Sequence, residues 1–244
     1  IERTDASSQV TRFEYDGIGR IIGITDPNSC ATSYRYDNCD RLLEWTDSLG
    51  QQKEYFYDKA GNITGEKNQK GEYTKYGYNE KNELIEVSDA LGGAVRYDYD
   101  RIGNLVAITD ANNSKTQFEY KGKDRLAAEI DPLGNEKQFS YDAEGRIEKI
   151  IKASRETIDY RYDAEGNLVG IECSDGEKTT FVYDKTGRRI QMEDSSGKTI
   201  YEYDRCGRLL SAKYPDAKEV AYSYDITGRI KSIIYPDNSA TCYE

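Results

Sequence analysis

Polar and apolar positions alternate in short bursts along this chain, and each burst begins the same way. Phe13-Glu14-Tyr15-Asp16 returns as Tyr34-Arg35-Tyr36-Asp37 and keeps returning to the end. Residues two apart on a strand share a face, so the first and third positions of each burst predict a strand with an aromatic stripe on one side. The opening aromatic falls at Phe13, Tyr34, Tyr55, Tyr76, Tyr97, Phe118, Phe139, Tyr160, Phe181, Tyr201, Tyr222 and Tyr243. Every step is 21 residues except one of 20, between Phe181 and Tyr201. A fixed period of this size means one supersecondary unit copied many times, each copy burying its face against its neighbours.

Within a unit the third position is always Tyr, from Tyr15 to Tyr224, and Asp usually follows it. The seventh position is occupied only by Gly, Asn or Asp: Gly19, Asp40, Gly61, Asn82, Gly103, Asp124, Gly145, Gly166, Gly187, Gly207 and Gly228. These residues tolerate a left-handed backbone. Asp followed three residues on by such a residue predicts a type I turn closed by a bulge. A second strand follows, as in Arg20-Ile21-Ile22-Gly23-Ile24-Thr25, and then a second turn such as Asp47-Ser48-Leu49-Gly50. Two strands and two turns per unit make an antiparallel meander. Roughly 22 strands at about 4.8 Å give a ribbon on the order of 100 Å long, which strand twist must coil into a spiral or shell wall.

The second strand does not alternate cleanly. Its ninth position is apolar (Leu42, Ile63, Leu105, Leu168), and so are many of its tenth and twelfth (Leu43, Val106, Ile108, Ile171). Those positions have opposite parity. Either a local bulge or the stacking of successive coils accounts for this, and periodicity alone does not choose. In the short unit, an irregularity is expected around Lys198-Thr199-Ile200, because a one-residue slip reverses a strand's faces unless something absorbs it.

Composition sharpens the picture. Leu, Ile, Val and Phe total only 44 of 244 residues, but 22 tyrosines stand in register and replace them. Tyr buries a ring while keeping a hydroxyl for water or a partner, which suits a thin sheet. The net charge of −11 argues against nucleic-acid or anionic-membrane binding. No apolar run approaches the roughly 18 residues of a membrane span. The chain opens in mid-repeat at Ile1-Glu2-Arg3-Thr4-Asp5 and stops at Tyr243-Glu244, so it is read as part of a longer array whose open strand edges favour self-association. Cys30, Cys39, Cys173, Cys206 and Cys242 occupy mostly different phases, so no disulfide belongs to the repeating design. Nine extended residues place Cys30 and Cys39 roughly 30 Å apart, beyond disulfide reach. No spacing argues for any other pair, Cys206 with Cys242 included.

Catalytic chemistry finds little material. There is no histidine, which removes Ser-His-Asp and Cys-His arrangements and every histidine metal ligand. Nearly all the acidic residues fall in turn phases, where Asp is a turn former. No acidic pair stands apart as a glycosidase would need, and the calcium-binding nonapeptide pattern is absent. The tyrosine stripe is read as rings packing on each other across strands. Its alternative is stacking against sugar rings. No catalytic, cofactor-binding or metal-binding residue is assigned, and no cofactor is expected.

The pattern Tyr-x-Tyr-Asp-x-x-Gly-Arg-Leu, as in Tyr201-Glu202-Tyr203-Asp204-Arg205-Cys206-Gly207-Arg208-Leu209, resembles the YD repeat of the RHS family. The likeness covers essentially the whole chain in eleven in-phase copies. Tyr214-Pro215-Asp216 and Tyr235-Pro236-Asp237 resemble that family's alternative second turn. Lys121 departs by replacing Asp, and the turn Lys152 to Arg155 lacks both Asp and Gly. Asp131-Pro132-Leu133-Gly134 is similar to the segment linked to self-cleavage in the family, but Asn135 stands in place of its Leu and a normal repeat resumes at Phe139. It is read as an ordinary second turn.

The resemblance implies an all-β ribbon of tandem hairpins wound into a hollow shell. Such shells are known from bacterial Rhs polymorphic toxins, the C components of insecticidal toxin complexes, wall-associated YD-repeat proteins and the teneurins. It also implies one RHS/YD-repeat array over residues 1–244, with about eleven complete repeats from 13 to 242 and partial repeats at 1–12 and 243–244. The implied role is a non-enzymatic scaffold, part of a shell that encapsulates or presents a C-terminal toxin or effector and is secreted or held at the bacterial cell surface. Its partners would be the rest of its own shell and that effector. The alternative is an adhesin-like module that binds glycan or protein through exposed tyrosines.

Overall fold

The computed structural model describes residues 1–5 and 8–243. The partial repeats expected at 1–12 and 243–244 therefore lie partly outside the described residues, at Ala6, Ser7 and Glu244. Among the described residues there are 24 strands and no helix. The chain divides into two compact units, Ile1–Phe118 and Glu119–Glu244. In the first, strands Glu2–Thr4, Val10–Tyr15, Ile21–Thr25 and Ala31–Tyr36 pair antiparallel in sequence order. The same order continues to Leu105–Thr109. In the second, the meander runs from Arg125–Ile130 against Glu136–Tyr141 to Ile230–Ile234 against Ala240–Cys242. This is the all-β, tandem-hairpin architecture read from the period.

The parity conflict in the second strand is resolved by a bulge. Tyr141 faces Ile147, while Ser140 faces Lys149, so Glu148 is the extra residue. The same register shift occurs in ten hairpins. One extra residue between the ninth and twelfth positions brings both onto the aromatic side. Phe139 thus lies opposite Ile150, and Tyr160 opposite Ile171. The tyrosine stripe is completed by aliphatic side chains from the return strand. Ring-on-ring packing, the expected mode, does not fill the stripe: the ring pair among the described residues, Phe56 and Tyr73, 5.4 Å apart and edge-to-face, lies on the opposite face, with Phe56 across from Gly65 and Tyr73 across from Lys67. The aliphatic residues at the ninth and twelfth positions take the places where a second ring would stand.

The opposite face is polar and has a different logic. Its deepest residues are small: Ala107 and Ala128 are 2% and 3% exposed. Gly23, Gly65 and Gly170 hold the same phase and are buried. Long side chains from flanking strands close over this row. The Arg161 guanidinium would stand 3.0 Å from a Cβ at Gly170. Ion pairs cross the row from strand to strand, as in Arg35–Glu44 at 2.9 Å, Arg96–Glu86 at 3.0 Å and Lys149–Asp159 at 2.9 Å. No large side chain is fully buried anywhere among the described residues. Stability therefore accumulates from cross-strand pairs, each contributing about 0.2–1 kcal/mol, rather than from one sealed core.

The short unit keeps its faces by changing a turn. Asp194 pairs with Gly197, leaving only Ser195 and Ser196 as the connection. Other second turns span five residues, with Lys152 N–H donating to Glu156 O and Arg155 N–H to Lys152 O, both at 2.8 Å. Met192 then meets Thr199 and Gln191 meets Ile200 in normal register. The irregularity expected around Lys198-Thr199-Ile200 thus sits earlier, in the turn. Shortening a loop leaves the ladder intact, whereas a slip inside a strand would turn every side chain over.

All eleven seventh positions have positive φ, from 57° at Asp124 to 98° at Gly103. The first turn has the expected form: Gly19 N–H donates to Asp16 O at 3.1 Å, and Asp16 N–H to Arg20 O at 3.0 Å. Where Lys121 replaces Asp, the turn is rebuilt with Gly122, Lys123 and Asp124 all at positive φ. Arg155, at φ 69°, takes the left-handed place of the missing glycine in its turn. Gly17 and Gly19 supply a clean test of this backbone requirement. Neither has an atom within 4 Å of a would-be Cβ, but only Gly19 is left-handed, at φ 91°. Gly19→Ala is expected to destabilise by about 1–2 kcal/mol, and Gly17→Ala to be neutral or to stabilise by about 0.4–1 kcal/mol. Equal midpoints for the two variants in urea would refute the backbone argument.

Candidate functional site

The chemistry of the chain is concentrated at the first turn and points into the next repeat. Asp37 follows the aromatic strand Ala31–Tyr36. Its Oδ1 accepts from the Cys39 and Arg41 N–H groups at 2.8 and 3.0 Å, and its Oδ2 accepts from Arg41 Nε at 2.7 Å. Those three bonds fix the guanidinium. Arg41 Nη1 then donates to Asp58 O, one repeat on, at 2.9 Å. The same guanidinium lies 4.7 Å from the Tyr57 ring centroid. Tyr57 in turn donates its hydroxyl back to Leu42 O at 2.8 Å. Carboxylate, guanidinium and phenol together clasp one hairpin to the next.

The clasp recurs. Arg146 is bound by Asp142, lies 4.5 Å from the Tyr162 centroid, and Tyr162 donates to Ile147 O at 2.9 Å. Arg208 repeats it with Asp204 and Tyr224, whose hydroxyl reaches Leu209 O at 2.8 Å. Where the arginine is replaced, asparagine holds the aspartate, as Asn167 does with Asp163 at 3.0 Å. In the fourth unit the polarity is reversed. Asn79 Nδ2 donates to Glu83 at 2.6 Å, and Lys81 Nζ reaches Arg101 O at 2.7 Å to make the link to the next turn.

Electrostatics follow from these bonds. The Arg41 backbone N–H holds the Asp37 carboxyl below the usual range, ahead of its side chain. The Asn167 side chain does the same for Asp163. The Thr186 hydroxyl, with Arg188, lowers Asp184. Burial pushes the phenols of Tyr57, Tyr78, Tyr99 and Tyr162 upward. A carboxylate committed to several donors is a poor general base, and a raised phenol is a poor nucleophile.

Third-position tyrosines along the chain, among them Tyr57, Tyr78, Tyr99, Tyr141, Tyr183 and Tyr224, donate to a main-chain carbonyl of the preceding return strand. Their hydroxyls are thus used inside the sheet. Asp131 forms an ordinary turn cap, accepting from Leu133 and Asn135 N–H at 2.9 and 2.8 Å. All five cysteines are free thiols. Among the described residues, no three His, Cys, Asp or Glu side chains gather as a metal site. The reach of the eighth-position arginine was not read from the sequence, although Arg20, Arg41, Arg125, Arg146, Arg188, Arg208 and Arg229 recur there in phase.

Comparison with known proteins agrees with this geometry. The family model of the teneurin YD-shell matches residues 133–230. The RHS repeat model matches residues 1–29, 57–94, 78–115 and 99–136. No curated protein matches the sequence. Among solved structures, TcdB2-TccC3 without its hypervariable C-terminal region superposes with a TM-score of 0.70 at 16% identity, covering 96% of this chain and 15% of that one. TcdB2-TccC3-TEV gives 0.58 at 17% identity, covering 95% and 16%. The Tc holotoxin pore of Photorhabdus luminescens, carrying a TccC3 mutation, gives 0.52 at 16%, covering 99% and 18%. The chain spans less than a fifth of the length of each of these structures. Identities this low speak to the fold, and the fold they share is this antiparallel array. The two matched models together take in most of the chain, repeat upon repeat, and place it in the RHS/YD-repeat family.

Proposed function

We propose that this chain is a stretch of shell wall, a single non-enzymatic YD-repeat array over residues 1–244 within a larger toxin-associated scaffold. The scaffold encapsulates or presents a C-terminal effector, and the protein is secreted or held at a bacterial cell surface. Its partners are the rest of its shell and that effector. The observation that carries this reading is the Asp–Arg–Tyr clasp, which spends the chain's recurrent polar chemistry on joining hairpin to hairpin. The solved structures of similar fold are toxin-complex components, which supports the same reading. The similar structure without a hypervariable C-terminal region fits a scaffold whose carried segment varies independently of the wall.

The test is limited proteolysis of the full-length gene product. A C-terminal effector segment that resists protease until mild denaturant opens the repeats is the expected result. Digestion of that segment at the rate of an isolated unfolded peptide, with the repeats still intact, would refute encapsulation.

A further inference from the structure

Most second turns are headed by a residue that serves the turn itself. Asp26, Asp47, Asn68, Asp89, Asp110 and Asp131 each cap their turn with a side-chain oxygen. Two turns near the end of the chain are headed by Tyr214 and Tyr235 instead. There the capping carboxylate has moved two residues on. Asp216 Oδ1 accepts from Lys218 N–H at 3.2 Å, and Asp237 Oδ1 from Ser239 N–H at 2.9 Å. Both tyrosines are thereby released from turn chemistry and stand 43% and 38% exposed, each followed by proline. The phenol of Tyr222 is pushed up by burial and then by Tyr214, Tyr224 and Tyr235.

The shortened hairpin Asp194–Gly197 stands beside these turns. Beside it lies an open recess of about 580 Å³ lined by Ser196, Tyr214, Pro215, Asp216, Lys218 and Pro236. Gly197 lets the wall approach closely, since a Cβ there would stand 2.9 Å from Pro215 Cβ. The recess is shallow and open to solvent, a surface groove rather than an enclosed cavity. The lining is mainly ring and methylene carbon. Its one ion pair is internal, Lys218 Nζ to Asp216 Oδ2 at 2.6 Å, which leaves few free groups to read sugar hydroxyls. Across the three turns, Asp194, Asp216 and Asp237 outnumber Lys218, so the edge is acidic.

We propose that this recess is a binding site for a proline-rich, cationic peptide in the polyproline II conformation, laid along the turn edge. Tyrosine and proline ridges with an acidic border are the groove type that takes such peptides. The spacing fits as well. Successive second turns are two strands apart, about 9.6 Å. One turn of polyproline II is three residues, about 9.3 Å. A peptide crossing the turns can therefore set residues three apart against the two Tyr-Pro ridges, while its arginines meet the acidic edge.

Fluorescence polarisation with the whole chain tests this. The probe is a fluorescein-labelled polyproline of about ten residues, flanked by arginines to keep charge and helix together. The control is an arginine-flanked Gly-Ser peptide of equal length. The polyproline probe is expected to bind saturably. Tyr214→Ala should weaken it about tenfold, the loss typical of one aromatic anchor. Because Tyr214 enters its turn through main-chain bonds only, circular dichroism should stay unchanged. Tyr235→Ala and a one-residue insertion between Ser195 and Ser196, which restores the 21-residue period, give independent variants that should also weaken binding. No saturable binding overturns the proposal. So does equal binding of both peptides, which would mean charge alone, or indifference to all three variants. Binding of a neutral oligosaccharide that Tyr214→Ala abolishes, with no polyproline binding, would overturn it in favour of sugar.

Discussion

Alanine in place of Tyr162 is expected to destabilise the second unit by about 2–3 kcal/mol, and phenylalanine by about 1 kcal/mol. The two values separate two contributions. The phenol donates to Ile147 O at 2.9 Å, and phenylalanine removes only that bond. The ring lies opposite Leu168 and beneath the Arg146 guanidinium, so alanine removes packing on both. The alanine figure is set below that for a sealed aromatic because the ring is only half-buried. Urea unfolding followed by circular dichroism gives both numbers. Hydrogen exchange should show the loss concentrated in strands Ile147–Ile151, Thr157–Tyr162 and Leu168–Cys173, since a repeat array passes strain only to adjacent copies. A cost below about 0.5 kcal/mol for alanine, the level of an ordinary surface change, would mean that the clasp does not hold the hairpins together.

Acid should act on the same clasps all at once. Asp37, Asp58, Asp163, Asp204 and Asp225 all have carboxyls held below the usual range by N–H and hydroxyl donors. A depressed folded-state pKa means that the unfolded chain binds the proton first. The stability these groups contribute is therefore complete above the ordinary aspartate value, near about pH 4. It is lost progressively as pH falls through the depressed values. With no histidine in the chain, no ordinary side chain titrates between about pH 5 and 8. The melting temperature is expected to be level from pH 7 to about 5 and to fall steeply below about 4. A marked drop between pH 7 and 5 would contradict this assignment. Acidification to about pH 5 would thus leave the clasps intact.

The outline of this fold was open to reading because the repeat averages away local ambiguity. One left-handed residue in one turn says little. Eleven in phase, from Gly19 to Gly228, fix where each hairpin bends. The ninth and twelfth positions showed a conflict of parity, and the bulge that resolves it was one of two readings the pattern allowed. The clasp was hidden for physical reasons. Tyr57 and Tyr162 donate to main-chain carbonyls, which every residue possesses, so the acceptor leaves no trace in composition. Arg41 looks like a solvated charge until its reach to Asp58 is known, and that partner lies 17 residues away in the next unit. The missing residue of the short unit could have been absorbed anywhere between Phe181 and Tyr201. Only the cost of turning a strand over places it in the Ser195–Ser196 turn. The recess beside Pro215 was invisible because its lining comes from three separate turns.

A sheet with nothing sealed inside it has an unusual freedom. In a globular domain, adding or deleting 21 residues would tear the interior. Here the deepest side chains are small, those of Ala107, Ala128, Thr199 and Ala212, so whole copies can be gained or lost while each survivor keeps the neighbours it had. Duplication and recombination can therefore set the length of such an array, while its thickness stays that of a single strand layer.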